Sequence, residues 1–546
     1  MEVKKGKFPT TTASFKNIRT EGMYYVDKTA FVWQLVDERK IVFLSRPRRF
    51  GKSMLLNTVA SYLEGRRELF EGLALYPLEE GKGEKAWVKH PVLRFDFSGI
   101  MAPTPEAMEQ MVRIRIDDTM RRFGLEGLAN EKKYDVYSAI CELERVAKAQ
   151  VAVIIDEYDS ALLDTLIAGD VEGMERVRQY MRGFYRSLKS AEGSLRFMMV
   201  TGVSQIRHVG LFSGFNNIVD ISFDPDYSSI CGITEAEIHE YLPEQLAHMA
   251  AVRGVSTEEM MAQLKHKYDG YRFSEKEEDV YNPYGLINAL CDCQLDDYWS
   301  MAGTSSSADM LIPRYDALGV LQLDGQLRAR KKELSRFNFE HSDPIPFLYQ
   351  TGYLSIKGMT DEGDFLLDFP NLEVRESIME ILAPRTLGIV RMSTYHGLKL
   401  NLVRALNGTD IKAFEACLQA FLASLPFDHE KGDAEKAWAL RECRYRDAVH
   451  LVFIGVQGDV RVEQIAAGGI SDVEVIGERM VVVLELKMAG KGYTPAKALE
   501  QAKGNGYATK HIGGERAVWA VGAVIGEKAQ IEWEEELVWR GKEEAC

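Results

Sequence analysis

A phosphate-binding loop is indicated where an apolar run leads to Gly51, Lys52 and Ser53. Residues 41–44 read Ile-Val-Phe-Leu, a basic turn follows them, and a helix can begin after the Gly-Lys-Ser tripeptide. Such a turn presents backbone N–H groups and a helix N-terminus to phosphate, while its lysine reaches the outer phosphates and its serine holds magnesium. We therefore expect Lys52 and Ser53 to bind phosphate and Mg²⁺, with Gly51 letting the backbone approach closely.

The loop departs from the usual G-x-x-x-x-G-K-[ST] pattern, because Arg46 stands where the pattern has its first glycine. The tripeptide alone fits an ordinary strand-to-helix loop equally well, so the assignment needs an acidic strand elsewhere. We expect Arg49, Phe50 and Met54 to contribute to the nucleotide site. The basic residues Arg46, Arg48 and Arg49 are expected to compensate for the missing glycine by adding charge near the phosphates.

That acidic strand is predicted at residues 151–155, which read Val-Ala-Val-Ile-Ile and are followed by Asp156 and Glu157. A buried parallel strand that delivers carboxylates to a nucleotide site has this form. Asp156 is expected to hold Mg²⁺ through water, and Glu157 to orient or deprotonate the attacking water. The alternative is that the acids only cap a following helix, but their combination with the upstream Gly-Lys-Ser favours the nucleotide interpretation.

A further apolar run, residues 195–200, leads to a polar segment that contains Thr201 and Ser204. In a nucleotide-hydrolysing core, a strand beside the acidic one carries a polar residue toward the γ-phosphate. We expect Thr201 or Ser204 in that position. Arg207 is a further candidate for stabilising charge on the phosphates.

A second group of chemically useful residues lies near the C-terminus, in the order Glu463, Asp472, Glu485, Lys487 and Gln501. Glu485 and Lys487 are two positions apart on a predicted strand, so both point to one face. Asp472 and Glu485 can bind a divalent ion, and Lys487 can position water or stabilise charge on a phosphate. A solvated edge strand with a Glu–Lys pair is the alternative. The succession of Glu463, Asp472, the Glu485-x-Lys487 pair and Gln501 along the chain favours metal-dependent phosphodiester cleavage.

The composition is that of a globular protein. Of the 546 residues, 46% are hydrophobic and 27% charged, which is ordinary for a folded chain with roughly three to four domains. The formal net charge of −15 argues against a protein that coats nucleic acid through bulk electrostatics. It leaves room for a local basic groove or for a metal ion that bridges to phosphate.

The sequence also bears on location and redox state. No apolar run approaches the ~18 to 20 residues of a membrane span, and the N-terminus is too polar for a signal peptide. Among the seven cysteines only Cys291 and Cys293 lie close together, without a second pair to complete a zinc site. A cytoplasmic location, reduced structural thiols and no membrane partner are expected.

The elements between these sites are predicted more coarsely. Residues 24–28 either line an adenine pocket or cap and pack a helix at residues 30–38. Aromatic turns near residues 268–273 and 281–286, followed by a strand-like segment at 353–356, predict a mostly helical lid with a winged-helix portion. This middle region offers no chemistry of its own, so its expected role is to couple nucleotide state to the C-terminal region.

Both ends of the chain resemble known families. Residues 24–29, 46–53 and 153–159 resemble AAA-ATPase-like proteins of bacteria, and the C-terminal region is similar to the PD-(D/E)XK nuclease modules seen in RecB-type nucleases. The resemblance implies that Lys52 and Ser53 bind ATP and Mg²⁺, with Asp156 and Glu157 on the acidic strand.

For the C-terminal region, the resemblance implies a nuclease core of Asp472, Glu485 and Lys487 that uses Mg²⁺ or Mn²⁺, supported by Glu463 and Gln501. Related sequences usually read Gly-Arg-x-Asp before the first nuclease acid. Here residues 469–472 read Gly-Ile-Ser-Asp and lack the arginine that would contact the substrate.

The expected architecture is α/β in three parts. A P-loop AAA-ATPase-like core is predicted for residues 1–232, a helical lid with a winged-helix portion for 233–390, and a restriction-endonuclease-like α/β domain with preceding helices for 391–546. Two functions follow: an ATP-dependent nuclease acting on DNA or RNA, or a nucleotide-switched interaction protein whose nuclease-like domain binds without cutting. The expected partners are ATP and nucleic acid, and the oligomeric state stays open.

Overall fold

The computed structural model describes the chain with gaps. The described residues are 7–100, 103–125, 135–205, 217–301, 327–335, 343–386, 392–424, 462–465, 472–489, 492–504, 508–526 and 530–541. The chain divides into two compact units, Met1–Asp316 with Arg328–Val374, and Ala317–Leu327 with Arg375–Cys546. The division into three domains at residues 232 and 390 stays a prediction.

The first unit is built on a parallel sheet. Its strands are β1 (Ile41–Ser45), β2 (Val92–Asp96), β3 (Val151–Asp156), β4 (Leu195–Gly202) and β5 (Val219–Asp220). The five-stranded sheet has the order β2-β3-β4-β1-β5, and every pairing is parallel. Such strands are covered on both faces, which explains their nearly continuous apolar sequences. The predicted α/β core with a parallel sheet is confirmed.

Helices cover both faces of this sheet. They are α1 (Phe15–Thr20), α2 (Thr29–Glu38), α3 (Lys52–Leu63), α4 (Leu75–Glu80), α5 (Pro105–Arg122), α6 (Val136–Ala147), α7 (Ser160–Ala168) and α8 (Val171–Ser190). Residues Val151, Val153 and Ile155 of β3 pack into one hydrophobic cluster, whereas Ala152 and Ile154 pack into another. This alternation follows from the two-residue period of a strand. Because β1, β3 and β4 are parallel neighbours, their carboxyl-terminal ends lie side by side at the same end of the sheet.

The rest of the first unit is helical, with a small sheet. Its elements are α9 (Glu235–Tyr241), α10 (Pro243–Arg253), α11 (Thr257–Tyr268), α12 (Pro283–Asp292), β6 (Leu327–Ala329), α13 (Lys331–Leu334), α14 (Ile345–Thr351), β7 (Ser355–Met359) and β8 (Phe365–Asp368). Thr234 and Glu237 form a capping box that starts α9. The three-stranded sheet has the order β6-β8-β7, so the first strand pairs with the last.

Helix α15 (Leu372–Thr386) begins with a buried acid, Glu373, which is only 1% exposed. Its Oε1 accepts a hydrogen bond from the Trp299 backbone N–H at 2.6 Å. Burial raises the pKa of the Glu373 carboxyl to about 8. The folded protein thus keeps a proton that the unfolded chain releases at lower pH.

We therefore expect the free energy of unfolding to fall as pH rises through the interval between those two pKa values. Glu373→Gln keeps the acceptor oxygen and removes the titration. At about pH 9 the variant should be more stable than the parent by on the order of 4 kcal/mol, and near pH 5 the two should be nearly equal. Urea unfolding of both proteins at each pH measures this difference. A difference independent of pH would contradict the assignment.

The second unit combines helices with a mixed sheet. Its elements are α16 (Met392–Asn407), α17 (Ile411–Ser424), β9 (Val462–Ile465), β10 (Asp472–Ile476), β11 (Met480–Met488), α18 (Pro495–Gly504), β12 (Ala517–Ile525) and β13 (Ile531–Trp539). The five-stranded sheet follows chain order, β13-β12-β11-β10-β9. Only the pairing of β11 with β12 is parallel among its described pairings.

A parallel pair requires a crossover connection, and α18 provides it. A Cβ atom at Gly522 of β12 would lie 2.2 Å from the Leu499 backbone nitrogen, so only glycine permits this close packing of helix on strand. Throughout the part of the chain that the structure describes, no helix is both long and apolar enough to cross a membrane.

Candidate functional site

The predicted phosphate loop connects β1 to α3. The five residues of β1 are all buried, and α3 begins at Lys52 directly after the turn. Gly51 caps the helix with φ +86°, in the left-handed region that glycine adopts without strain. Arg49 also has a positive φ, 65°. The N–H groups of the first turn of an α-helix have no partner within the helix, so the start of α3 is a site of the kind that binds anions.

The backbone conformation at Arg46 shows why the loop does not need a glycine at this position. Arg46 is not among the residues with positive φ, so this position does not require glycine. Its side chain is 1% exposed, donates to the carbonyl oxygens of Ser222 at 2.8 Å and Tyr227 at 3.2 Å, and lies 4.0 Å from the centroid of the Phe273 ring. The Arg46 guanidinium is thus bonded to carbonyl oxygens and, unlike Lys52, is not among the residues that line the cavity; that it adds charge near the phosphates stays a prediction. Arg48 and Arg49 do line the cavity beside the loop.

Lys52 is folded back onto its own loop. Its side chain is 5% exposed, and its Nζ donates to the carbonyl oxygens of Arg46 and Pro47, both at 2.9 Å. Burial lowers the pKa of Lys52, while nearby Asp156 and Glu157 oppose that effect. A phosphate in the loop would provide this buried ammonium with a stronger acceptor than two neutral carbonyls.

Asp156 is held at the end of β3 by three donors. The Ser53 hydroxyl donates to Oδ2 at 2.6 Å, the Thr201 hydroxyl donates to Oδ1 at 2.7 Å, and the Glu157 backbone N–H donates to Oδ1 at 3.0 Å. Thr201 is completely buried, so its hydroxyl orients Asp156 in this structure and is not directed into the cavity. The Ser53 hydroxyl and the Asp156 carboxylate are oxygen ligands of the kind that Mg²⁺ prefers, and they fit this ion.

Glu157 lines the same cavity and has a backbone φ of +46°. A positive φ is uncommon for a residue other than glycine, and such conformations concentrate at functional sites. Burial raises the pKa of Glu157, and neighbouring Asp156 adds to the effect, whereas Lys52 and Arg48 oppose it. A carboxylate with a raised pKa is a better proton acceptor near neutral pH than an ordinary surface glutamate.

Asp159 is an important residue that sequence reasoning missed. It is 1% exposed and accepts hydrogen bonds from the backbone N–H and the hydroxyl of Ser204, at 2.6 and 2.5 Å, and from the Val203 N–H at 3.2 Å. Asp159 thus fixes the end of β4 beside β3. The Ser204 hydroxyl is occupied there instead of facing a phosphate, and Arg207 lies outside the described residues. The Asp156-Glu157-x-Asp159 spacing was the only sequence signal for this anchor.

A cavity of about 820 Å³ extends from the loop. Its lining includes the loop residues Gly51, Lys52, Ser53 and Arg48, together with Glu157. It also includes aromatic and aliphatic side chains, among them Tyr24, Tyr25, Val26, Ile230, Ile233, Tyr284 and Ile287. A cavity that combines polar groups for phosphate with apolar side chains for a flat ring has the composition typical of a cofactor site.

The predicted alternatives for residues 24–28 both have support. Tyr24, Tyr25 and Lys28 line the cavity, as the adenine-pocket interpretation expects. Asp27 instead accepts the Thr29 backbone N–H at 2.8 Å and so caps the start of α2. Lys28 also forms an ion pair with Glu237, with its Nζ at 2.5 and 2.7 Å from the two carboxylate oxygens.

Two other predicted loop residues serve mainly in packing. The Phe50 ring is completely buried and lies edge-on to Tyr271 and Phe273, with ring centroids 4.7 and 5.4 Å away. Met54 is partly buried against the hydrophobic cluster beneath α3. Both residues also border the cavity.

In the second unit, Glu485 and Lys487 are close together on β11. Their side chains form an ion pair, and the residues are 3% and 8% exposed. The second carboxylate oxygen of Glu485, Oε2, is buried without a hydrogen-bond partner among the described residues. Because β11 lies between β10 and β12, the solvated edge-strand alternative is wrong. A buried carboxylate oxygen without a donor is costly, and a cation would satisfy it.

The backbone register places the other predicted acids on neighbouring strands. Val473 of β10 lies opposite Leu484 of β11, and continuing this antiparallel register by one residue puts Asp472 opposite Glu485. Glu463 of β9 lies opposite Glu474 of β10. The side chains of Glu463 and Asp472 lie outside the description. Among the described residues there is no group of three or more His, Cys, Asp or Glu that could hold a metal ion.

Gln501 is in α18 but on its exposed side. The residues of this helix that are buried are Ala498, Leu499 and Ala502. The described structure therefore does not bring the Gln501 side chain against the Glu485–Lys487 pair.

Comparison with known proteins identifies relatives of this chain. Residues 9–212 match the AAA-ATPase-like family, described as "Predicted AAA-ATPase". The chain is also 30% identical over 516 residues to the "Uncharacterized protein in vnfD 5'region" of Azotobacter chroococcum mcd 1, covering 92% of this chain and 93% of that protein. The family match confirms the AAA-ATPase-like prediction for the N-terminal region. It ends before the C-terminal acids, so the nuclease assignment stays a prediction.

Proposed function

Because the chain contains an AAA-ATPase-like domain at residues 9–212, we propose that it binds ATP in the cavity beside the loop between β1 and α3 and hydrolyses it there. One observation carries this proposal: residues far apart in sequence, Ser53, Asp156 and Thr201, form one hydrogen-bonded cluster next to buried Lys52. An ordinary strand-to-helix loop needs no such cluster.

Each residue then has a defined task. The N–H groups of α3 and the Lys52 ammonium would bind the phosphates, and the Ser53 and Asp156 oxygens would hold Mg²⁺. When bound, Mg²⁺ supplies neutralisation of phosphate charge. Glu157 would orient the attacking water and accept its proton, and Thr201 and Asp159 would keep the two strand ends in place.

We further propose that the second unit contains a metal-dependent nuclease site acting on DNA or RNA. Two observations support it: the mixed sheet in chain order with α18 joining its parallel strands, and the buried Glu485–Lys487 pair. The register of Val473 with Leu484, continued by one residue, would also put Asp472 opposite Glu485. Asp472 and Glu485, with Glu463 in support, would hold Mg²⁺ or Mn²⁺, which supplies Lewis acidity at the phosphate. The orphaned Glu485 oxygen is consistent with a cation at this position.

The alternative is a nucleotide-switched protein whose nuclease-like unit binds nucleic acid or a partner without cutting. The formal net charge of −15 and the absence of an arginine before Asp472 favour it. The buried Glu485–Lys487 pair favours cleavage, because a protein that only binds has no use for an ion pair beside an unsatisfied carboxylate oxygen.

Asp472→Ala distinguishes these two functions. We expect the variant to cut nucleic acid at least about 100-fold more slowly than the parent, because a metal ligand is removed. ATP hydrolysis should be unchanged, since the substitution lies in the other compact unit. The assay measures phosphate release and strand cleavage with Mg²⁺ or Mn²⁺ on a panel of single- and double-stranded DNA and RNA.

Glu534→Ala, which removes an exposed acid of β13 in the same compact unit, serves as the matched control. Equal cleavage by parent and Asp472→Ala would reject the nuclease assignment, and absence of cleavage by the parent on every substrate would favour the non-cutting alternative.

We also propose that β6, α13, α14, β7 and β8 form the predicted winged-helix portion. Two helices followed by a β-hairpin, with the first strand paired to the last, support this interpretation.

A further inference from the structure

The segment from α13 to β8 contacts the phosphate loop. Gly352, at the end of α14, is so near Pro47 that a Cβ atom there would lie 2.8 Å from the proline Cβ. Residues Pro346, Phe347, Leu348, Tyr349 and Gln350 of α14 are all buried. In helix-turn-helix proteins the second helix of such a pair reads DNA. Here that helix is covered by the protein itself, so it needs another role.

A chain of buried hydrogen bonds crosses this contact. The Gln350 Oε1 accepts the Gln205 backbone N–H at 2.8 Å, and the Gln350 Nε2 donates to the Leu334 carbonyl at 2.7 Å. The Gln205 Nε2 in turn donates to the Ser45 hydroxyl at 2.9 Å. Gln350, Gln205 and Ser45 are 4%, 1% and 8% exposed. We name these three residues the relay. Its link from Gln350 to Gln205 runs through the Gln205 backbone N–H.

The relay ends where the phosphate loop begins. Ser45 is the last residue of β1, and its backbone N–H donates to the Ser222 hydroxyl at 2.9 Å. The carbonyl oxygen of the next residue, Arg46, accepts a hydrogen bond from the Lys52 ammonium. Gln205 directly follows Ser204, which Asp159 holds at the end of β4. The relay therefore connects to the loop that carries Lys52 and to the strand end that Asp159 fixes.

We infer that Gln350 and Gln205 are positioning residues, which hold the phosphate loop in its ATP-binding shape from the α13–β8 segment. Hydrogen bonds in the interior are stronger than in water, so the bonds of Gln350 and of the Gln205 Nε2 favour one arrangement of the loop. The Gln205 Oε1 is buried without a hydrogen-bond partner among the described residues. The two glutamines touch neither phosphate nor metal, so they act through Ser45 and the loop backbone. This inference rests on the proposed ATP site and adds to it the part of the chain that keeps it in shape.

The test uses the full-length chain with Gln350→Met, which keeps the length of the side chain and removes both hydrogen bonds. We expect its Kd for Mg²⁺-ATP to rise about 10-fold, with kcat at saturating ATP within about twofold of the parent, since Glu157 is untouched. The matched control is Thr351→Val, on the same helix, which removes the hydroxyl bonded to the Phe347 carbonyl within α14. This control should leave the Kd unchanged.

Gln205→Met interrupts the relay from the other side and also serves if Gln350→Met fails to fold. Because both substitutions break one network, the double variant should bind ATP about as weakly as either single variant. Effects on Kd that simply multiply, or an unchanged Kd in a folded single variant, would overturn the inference. A parent protein that binds no ATP would overturn the proposed function itself, which parent titrations reveal before any variant is made.

Discussion

Lys52→Ala should reduce ATP binding by at least about 100-fold and bring ATP hydrolysis to background, since removing one preorganised charge from a phosphate site commonly costs 10²–10³ in rate. The ammonium is buried, and in the structure it contacts only the Arg46 and Pro47 carbonyl oxygens among its described hydrogen-bond partners. The Lys52 ammonium is thus already held beside the loop backbone. Among the described hydrogen bonds of the loop, no other cation donates to these two carbonyl oxygens. Titration with Mg²⁺-ATP and an assay of phosphate release measure the two effects.

The matched control is Lys85→Ala, which removes an exposed lysine of the same compact unit that does not line the cavity. This variant should bind and hydrolyse ATP as the parent does. Nucleotide binding by Lys52→Ala at the parent's affinity would show that the loop is structural and that the cavity serves another ligand.

Glu157→Gln should separate binding from hydrolysis. The variant keeps the shape of the side chain and loses the proton acceptor, so phosphate release should fall by about 10²–10⁴ while the Kd for ATP changes less than about threefold. Because burial raises the pKa of Glu157, the hydrolysis rate of the parent should decline toward acid pH sooner than an ordinary carboxylate base would cause.

Glu84→Gln, at an exposed position away from the cavity, is the control for loss of one negative charge. Hydrolysis by Glu157→Gln at the parent rate would assign the base to another residue. A rate profile without an acid limb would contradict the raised pKa.

Short stretches of sequence were sufficient to predict the strands and the loop of the nucleotide site. The apolar runs of β1 and β3 predict buried parallel strands, and Gly51, Lys52 and Ser53 predict the turn between strand and helix. For the same reason the Glu485-x-Lys487 spacing placed two side chains on one face of a strand without any knowledge of the sheet. These inferences succeed because strand period, turn conformation and helix start depend on neighbouring residues.

The partners of each side chain were not predictable in this way. Arg46 was expected near the phosphates, but it binds carbonyl oxygens of residues 222 and 227. Thr201 was expected to face the γ-phosphate, but its hydroxyl orients Asp156. In both cases the deciding contact joins residues that are far apart along the chain.

A parallel α/β core with a phosphate loop, an acidic strand after it and a Glu–Lys pair near the C-terminus could be predicted from the sequence, because each is encoded by a short run of residues. Three features became visible in the folded chain: Asp159 anchors the end of β4, β11 is an interior strand, and Gln350 reaches the phosphate loop through Gln205. Periodicity in the sequence marks which face of an element is buried, but it does not say which distant residues packing brings into contact with that face.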